Sequence, residues 1–220
     1  MSASSEQHPD KHHSDKQEHK RYRYLVFIGR FQPFHCGHKA VIDEALKRSD
    51  EVIMLIGSAN LPRSLRNPFS VDERAAMIKD AYSDEEAARI HCVGLDDALY
   101  NDTRWLQYVQ AGVKSVTGDL QTDIGLIGHS KDSSSYYLSL FPNWDSVSVP
   151  NYHNLSATPI RDSYLMGATP TPERTPESTR NVLDQFKKQM TTSSCMKRQI
   201  LLINTKDSGN LRLTPYFYDG

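Results

Sequence analysis

The sequence predicts an α/β fold in which about five short strands alternate with helices. Short apolar runs rich in β-branched and aromatic residues recur over residues 24–149, as in strands that are covered on both faces. Between these runs, the apolar residues follow helical spacing. Several runs end in loops that contain Gly, Arg, His or Ser, and parallel sheets bind ligands at the carboxyl ends of their strands.

Composition limits the size and the environment of the protein. The chain has 220 residues, is 38% hydrophobic and carries a formal net charge of −1, which suits one domain with appendages and no nucleic-acid partner. Cys36, Cys92 and Cys195 lack metal-ligand spacing and suit reduced thiols in a cytosol. No apolar run is long enough to cross a bilayer. We therefore expect a cytoplasmic protein without a membrane partner.

The first strand and the loop after it carry the strongest signal. Residues 1–20 are polar, with too few apolar side chains to bury, and are expected to form a disordered tail. Tyr24–Ile28 predicts a buried strand, and the next helical pattern begins at His38. Pro33 and Gly37 mark the loop between the two elements.

Two histidines and an arginine surround the start of that helix. A helix N-terminus offers free N–H groups and the positive end of the helix dipole to an anion. Since His35 and His38 follow a strand and Arg30, we interpret the loop as a phosphate-handling site, in which imidazole and guanidinium groups neutralise charge. A histidine pair with this spacing, taken alone, is more often a surface pair or half of a metal site.

The second strand, Glu51–Ile56, precedes another basic loop. Arg63 and Arg66 lie in that loop and are candidates for polyphosphate binding, although a single exposed arginine is more often solvated surface. Ser70 and Glu73 form a capping box, which predicts that the next helix begins there and continues to about residue 82.

The third strand, Ile90–Leu95, leads to a helix with Trp105 in its first turn. Spacing favours a core position for the Trp105 ring but leaves a place at the border of the cleft open. Asp123–Ile127 and Asp145–Val149 predict the fourth and fifth strands, and a Ser-rich turn with Gly128 and Lys131 follows the fourth.

A second anion site is predicted where the helix after the fifth strand begins. Ser156 or Thr158 can cap this helix, and Pro159 suits its first turn. Arg161 lies one turn inside and can bind phosphate together with the free N–H groups. Residues 169–180 are rich in proline and predict a linker, and residues 181–220 predict a C-terminal helix and a hairpin. The function of this last segment, in packing or in a homo-oligomer, is left open.

Both site motifs resemble those of the HxGH nucleotidyltransferase superfamily. The first motif reads Gly29-Arg30-Phe31-Gln32-Pro33-Phe34-His35-Cys36-Gly37-His38. Its form is similar to that of archaeal-type nicotinamide mononucleotide (NMN) adenylyltransferases and of the bacterial enzymes that join this domain to a Nudix hydrolase. The second motif, Leu155–Arg161, resembles the (I/L)SxTxIR motif of the same site. The resemblance implies a doubly wound, Rossmann-like parallel sheet in a nucleotidyltransferase domain over residues 21–168, and no Nudix signature follows it.

The resemblance also implies the roles of individual residues. His35, His38, Arg30 and Arg161 would be catalytic, and Trp105 and Asn101 would bind NMN. The residues implied to bind ATP are Gly29, Phe31, Gly37, Arg63, Arg66, Gly128, Lys131, Ser156, Thr158 and Ile160. No protein metal cage is evident, so Mg²⁺ is expected to arrive with ATP.

The implied reaction joins ATP and NMN to give NAD and pyrophosphate. The sequence leaves two alternatives open. One is transfer to another phosphate acceptor, such as nicotinate mononucleotide, pantetheine phosphate or FMN. The other is a nucleotide-sensing module without turnover, against which the full set of charge-stabilising residues argues.

Overall fold

A computed structural model of the chain describes residues 21–118, 123–129, 141 and 143–192. Five strands and six helices lie within these ranges. They are β1 (Tyr22–Gly29), α1 (Cys36–Arg48), β2 (Ser49–Ile56), α2 (Val71–Lys79), α3 (Asp84–Ala88), β3 (Ile90–Gly94), α4 (Asp102–Thr117), β4 (Ile124–His129), β5 (Asp145–Val149), α5 (Ala157–Leu165) and α6 (Glu177–Thr192). The predicted tail 1–20 and the predicted hairpin lie outside the described residues.

The five strands form one parallel sheet in the order β3-β2-β1-β4-β5. The chain adds strands on one side of β1 and then, from β4, on the other side, so the strand order reverses between β1 and β4. Ligands bind at such a switch point, beyond the carboxyl ends of the strands. The predicted parallel α/β sheet is therefore confirmed, and the loops after β1 and β2 lie at the carboxyl ends of its strands, where such sheets bind ligands.

Helices cover both faces of the sheet, as a doubly wound fold requires. Leu25 and the other side chains on one face pack with α1, α2 and α6. Val26 and its neighbours on the opposite face pack with α4, through Val109 and Val113. Adjacent residues of β1 thus point to opposite cores, which explains why the strand is apolar at almost every position. No helix in these ranges is both long and apolar enough to cross a membrane.

The helix α6 belongs to the core of the domain and begins earlier than predicted. It begins at Glu177, so residues 177–180, assigned to a linker from the sequence, form its first turn. Val182, Leu183 and Phe186 are buried in the same cluster as α1 and α2. Proline content suggested a linker, but the apolar face of α6 needs a partner and finds it on the domain. The sequence analysis also missed α3, which is too short to show a period.

Candidate active site

Gly29 and Phe31 shape the loop that follows β1. Phe31 adopts a left-handed backbone conformation, with φ of 52°, and its ring folds back over Gly29. A Cβ atom on Gly29 would lie 2.8 Å from Cζ of Phe31, so a side chain at this position would displace the buried ring. The edge of the Phe31 ring meets His38 with the centroids 4.9 Å apart. Gly29 therefore permits the packing that supports one of the two histidines.

Gln32 joins this loop to the loop before α2. Its side-chain amide donates to the Phe69 carbonyl at 2.8 Å and accepts from the Phe69 N–H at 3.0 Å. Gln32 is 1% exposed, so both hydrogen bonds are shielded from water. The paired hydrogen bonds hold the loops after β1 and β2 side by side at the carboxyl ends of these two strands.

His35 and His38 cap the N-terminus of α1 reciprocally. Nδ1 of His35 accepts from the N–H groups of Gly37 at 3.1 Å and His38 at 3.3 Å, and Nδ1 of His38 accepts from the His35 N–H at 3.4 Å. Each Nδ1 is thus an acceptor, so each neutral ring carries its proton on Nε2. Gly37 is required here because a Cβ would lie 2.9 Å from Cε1 of His35. The cap leaves two Nε2–H groups as donors.

Burial keeps both imidazoles neutral. Removal from water, and then the charge of His129 at the end of β4, lowers the pKa of His35 to about 4. Burial, His35 and His129 together hold the pKa of His38 well below its usual value. The two rings stack with their centroids 3.6 Å apart, a distance at which two positive charges repel strongly. Both rings are therefore neutral hydrogen-bond donors at pH 7.

This pKa shift predicts a loss of stability in acid. The unfolded chain protonates His35 near pH 6.5, whereas the folded protein resists protonation until about pH 4. Protons therefore favour unfolding between these values, and stability that is complete above pH 6.5 falls by up to about 3 kcal/mol as the pH approaches 4. Urea denaturation across this range measures the loss. Since asparagine also caps helices well, His35→Asn should keep the cap and show a shallower pH dependence; an unchanged slope would contradict the assignment.

Two further arginines, Arg66 and Arg161, lie near Arg30, which belongs to the same loop after β1 as the histidines. Burial lowers the pKa of Arg30, and the charges of Arg66 and then Arg161 lower it further, while Asp97 opposes them. Like charges held this near each other repel, so the arrangement needs an anion to balance it. The predicted residues Arg66 and Arg161 are thus brought near Arg30, and the combined charge of the three suits a polyphosphate.

Arg161 is the most buried of the three and lacks one partner. It is 6% exposed, its Nη1 donates to the Gln32 carbonyl at 3.3 Å, and its Nη2 pairs with the exposed Asp162 at 3.1 Å. Within the described residues, its Nε has no hydrogen-bond partner. A buried donor without an acceptor costs free energy, which a bound anion would recover. Arg161 is therefore prepared for a ligand oxygen.

The start of α5 offers further donors. Ser156 is its N-cap, yet the Ser156 side chain makes no capping hydrogen bond. Thr158 is exposed in the first turn, while Ile160 is buried and anchors the helix. A helix that begins without a side-chain cap leaves its first N–H groups to water or to an anion. Together with Arg161, this end of α5 can bind phosphate oxygens.

Arg63 makes structural contacts that the sequence did not predict. Its guanidinium forms a two-point ion pair with Glu73, at 2.7 and 3.0 Å, and donates to the Pro68 carbonyl at 2.6 Å. Glu73 also completes the capping box of α2 with Ser70. These contacts give Arg63 a structural part in holding the loop before α2, and its binding of ATP stays a prediction. The sequence motif does not show that Arg63 pairs with Glu73, which lies ten positions further along the chain.

Arg74 is a site residue that the sequence analysis missed. It is 1% exposed, and its Nη1 donates to the carbonyls of Arg30 at 2.8 Å and Gly57 at 2.7 Å. Burial is the main cause that lowers its pKa to about 10, so the group remains charged at pH 7. Arg74 therefore joins the loops after β1 and β2 through buried hydrogen bonds, and it holds the backbone of Arg30 in place. A charged residue in an amphipathic helix gives no sequence signal of such burial.

His129, at the end of β4, was also missed. Its Nδ1 lies 3.3 Å from the Val149 carbonyl.

The residues predicted to bind the acceptor lie at the start of α4. Asn101 is exposed and caps the helix, because its Oδ1 accepts from the Arg104 N–H at 2.9 Å. Trp105 is half-buried against the core cluster under α4, with its ring 6.5 Å from that of Phe141. A half-buried ring has one part in the core and one part accessible. Gly128 is buried within β4. Lys131 lies outside the described residues.

Acidic side chains do not form a metal cage in the described part of the chain. No group of three or more His, Cys, Asp or Glu side chains there could hold a metal ion. Asp97, the carboxylate that acts on Arg30, accepts hydrogen bonds from the N–H and the hydroxyl of Ser58 at 3.2 and 2.8 Å.

Comparison with known proteins identifies the family of this chain. The cytidylyltransferase-like family model matches residues 26–162. A nicotinamide/nicotinic acid mononucleotide adenylyltransferase from Acinetobacter baylyi is 42% identical over 192 residues, which cover 87% of this chain and 98% of that protein. A nicotinamide-nucleotide adenylyltransferase from Saccharolobus solfataricus is 41% identical over 86 residues, 38% of this chain and 49% of that protein.

A solved structure is similar over most of the fold. A bifunctional NMN adenylyltransferase/ADP ribose pyrophosphatase from Francisella tularensis, in complex with AMP and a manganese ion, gives a TM-score of 0.69 at 30% identity. The similarity covers 84% of this chain and 53% of that one. Because the family model matches more than half of the chain and one relative is similar over nearly its whole length, this chain belongs to the cytidylyltransferase-like nucleotidyltransferases, in the branch of the NMN adenylyltransferases.

Proposed function

We propose that the protein transfers the adenylyl group of ATP to nicotinamide mononucleotide, producing NAD and pyrophosphate. The observation that carries this proposal is the loop after β1, at the switch point of the sheet, where two neutral histidines cap α1 and where Arg66 and Arg161 lie near Arg30. Relatives named for this activity support it. The arrangement matches a reaction in which negative charge moves between phosphate oxygens.

The reaction needs no protein nucleophile. An oxygen of the acceptor 5′-phosphate forms a bond to the α-phosphorus of ATP, and the bond from that phosphorus to the bridging oxygen breaks. Pyrophosphate leaves with the electron pair of the broken bond. The protein contributes by holding the two phosphates in line and by stabilising the charge that grows on the bridging oxygen.

We assign the donors by their position. His35 and His38 present Nε2–H groups at the mouth of α1, where they can donate to oxygens of the reacting phosphate without exchanging protons. Arg30 and Arg66 balance the charge of the triphosphate. Arg161, through its unpaired Nε, and the first turn of α5 bind the leaving pyrophosphate portion. A divalent ion, which we propose is Mg²⁺, would neutralise phosphate charge when it arrives with ATP.

The acceptor is best tested with a panel. The protein, ATP and Mg²⁺ are incubated with nicotinamide mononucleotide, nicotinate mononucleotide, pantetheine phosphate or FMN, and the products are identified by mass. We expect NAD from the first. Nicotinate mononucleotide is the second candidate, because the Acinetobacter relative is named for both acceptors. A product only with pantetheine phosphate or FMN, or no product at all, would refute the proposal; binding of ATP without turnover would indicate a sensing module.

Trp105 offers a test of how the acceptor ring is bound. If the accessible part of its half-buried ring stacks on the pyridine, Trp105→Ala should raise the KM for NMN roughly 5- to 150-fold, the range expected for 1–3 kcal/mol of stacking. The KM for ATP should stay nearly constant. Steady-state kinetics with each substrate varied in turn measures both values. A variant that melts much lower but keeps its KM for NMN would show instead that Trp105 serves the core.

A further inference from the structure

Two hydrogen bonds from the C-terminal part of the domain hold the backbone on both sides of His35. The Thr179 hydroxyl donates to the Phe34 carbonyl at 3.1 Å, across 145 positions of sequence. The Cys36 N–H donates to the Arg174 carbonyl at 2.9 Å. The peptide groups before and after His35 are therefore both fixed by the segment that leads into α6.

This segment is itself firmly anchored. Thr179 is 0% exposed, and the Ser178 hydroxyl beside it donates to the Met77 carbonyl of α2 at 2.7 Å. Leu183 and Phe186, further along α6, are buried in the main core cluster. A buried helix fixed at several points can act as a rigid support, because packed cores resist displacement.

The direction of the His35 ring depends on these contacts. Its Nδ1 is bound to the N–H groups of Gly37 and His38, so the ring can turn only as the backbone around it turns. A small shift of the Phe34 carbonyl would therefore move Nε2, the atom that faces the reacting phosphates. Catalytic groups displaced by about 1 Å can lose on the order of 100-fold in rate.

We propose that Thr179 is a positioning residue, which acts through the Phe34 carbonyl to aim the His35 ring at the phosphates. The inference rests on the proposed adenylyl transfer and adds to it a function for the C-terminal helix. Thr179 touches neither substrate in this assignment. Its hydroxyl donates to the peptide group before His35, while Arg174 contributes its backbone carbonyl to the peptide group after His35.

Three variants separate positioning from stability. Thr179→Val keeps the shape of the side chain and removes the hydroxyl, so kcat should fall about 10- to 100-fold with little change in the KM for ATP. Thr179→Ser keeps the hydroxyl and loses a buried methyl group, so it should melt lower and retain kcat. Ser178→Ala is the matched control, because it removes the hydrogen bond of a neighbouring buried hydroxyl to α2. That bond does not reach the signature loop, residues 30–35 between β1 and α1.

The outcomes are distinct. The inference is overturned if Thr179→Val keeps the wild-type kcat, or if Ser178→Ala loses as much kcat as Thr179→Val. If Thr179→Val does not fold, Thr179→Ala takes its place, because it removes the same hydroxyl. The NMR signal of the His35 Cε1–H reports the ring environment without turnover, and it should move in Thr179→Val but not in Ser178→Ala. Absence of NAD formation by the wild-type protein would instead count against the proposed function.

Discussion

Replacing His38 with alanine should lower the kcat for NAD formation roughly 100- to 1,000-fold, the usual effect of losing one donor to a developing oxyanion. We expect this loss because burial keeps the His38 ring neutral and the cap occupies its Nδ1. The proton therefore lies on Nε2, which can donate to a phosphate oxygen. Single-turnover measurements with ATP and NMN would isolate the chemical step. A turnover near that of the wild type would remove His38 from the mechanism.

The capping function of His38 needs its own control. Alanine also removes the acceptor for the His35 N–H and should destabilise α1 by about 1 kcal/mol. Glutamine at the third position of a helix can complete a capping box, so His38→Gln should recover much of this stability. We expect activity to stay low in His38→Gln, because the glutamine amide does not place a donor where Nε2 lies. Full activity in this variant would show that the cap, and not the donor, matters.

Replacing Arg161 with methionine should reduce kcat/KM for ATP by about 100-fold or more, while the free energy of unfolding changes by only about 1 kcal/mol. The variant loses one long hydrogen bond to the Gln32 carbonyl and the ion pair with the exposed Asp162, but it also removes the buried Nε that has no partner among the described residues. Kinetics with varied ATP and urea denaturation measure the two effects. Arg104→Met is the control, since Arg104 is exposed and donates to the hydroxyl of Tyr108.

This combination of lost activity and kept stability is the expected behaviour of a residue maintained for its ligand. A structural arginine would behave in the opposite way. If Arg161→Met unfolds readily and the remaining folded protein turns over normally, Arg161 serves the packing of the signature loop. In that case the phosphates must be bound by Arg30, Arg66 and the start of α5.

Features set by neighbouring residues could be predicted from the sequence. The five strands follow from local apolar runs, and the start of α2 follows from Ser70 and Glu73, whose capping box is present. His35 and His38 could be placed at the mouth of a helix for the same reason. Such signals need only a few residues of context, and that context survives in the folded protein.

Features set by distant contacts could not be predicted. Arg63 and Arg66 look alike in sequence, yet Arg63 is bound by Glu73 and only Arg66 acts on Arg30. Arg74 carries the same charge and is buried under two loops. The three residues differ only in what the folded chain brings beside them. No local pattern distinguishes a ligand-binding arginine from one that supports a loop.

The distance along the chain between Phe34 and Thr179 affects how the enzyme folds during its synthesis on the ribosome. The loop with both histidines leaves the ribosome early, whereas the segment that clamps it is synthesised 145 residues later. Contacts so far apart in sequence form late, because the intervening chain must be ordered first. If Thr179 has the proposed role, the nascent chain carries the histidines without this support for most of its synthesis, and we expect full activity only after α6 has emerged and docked.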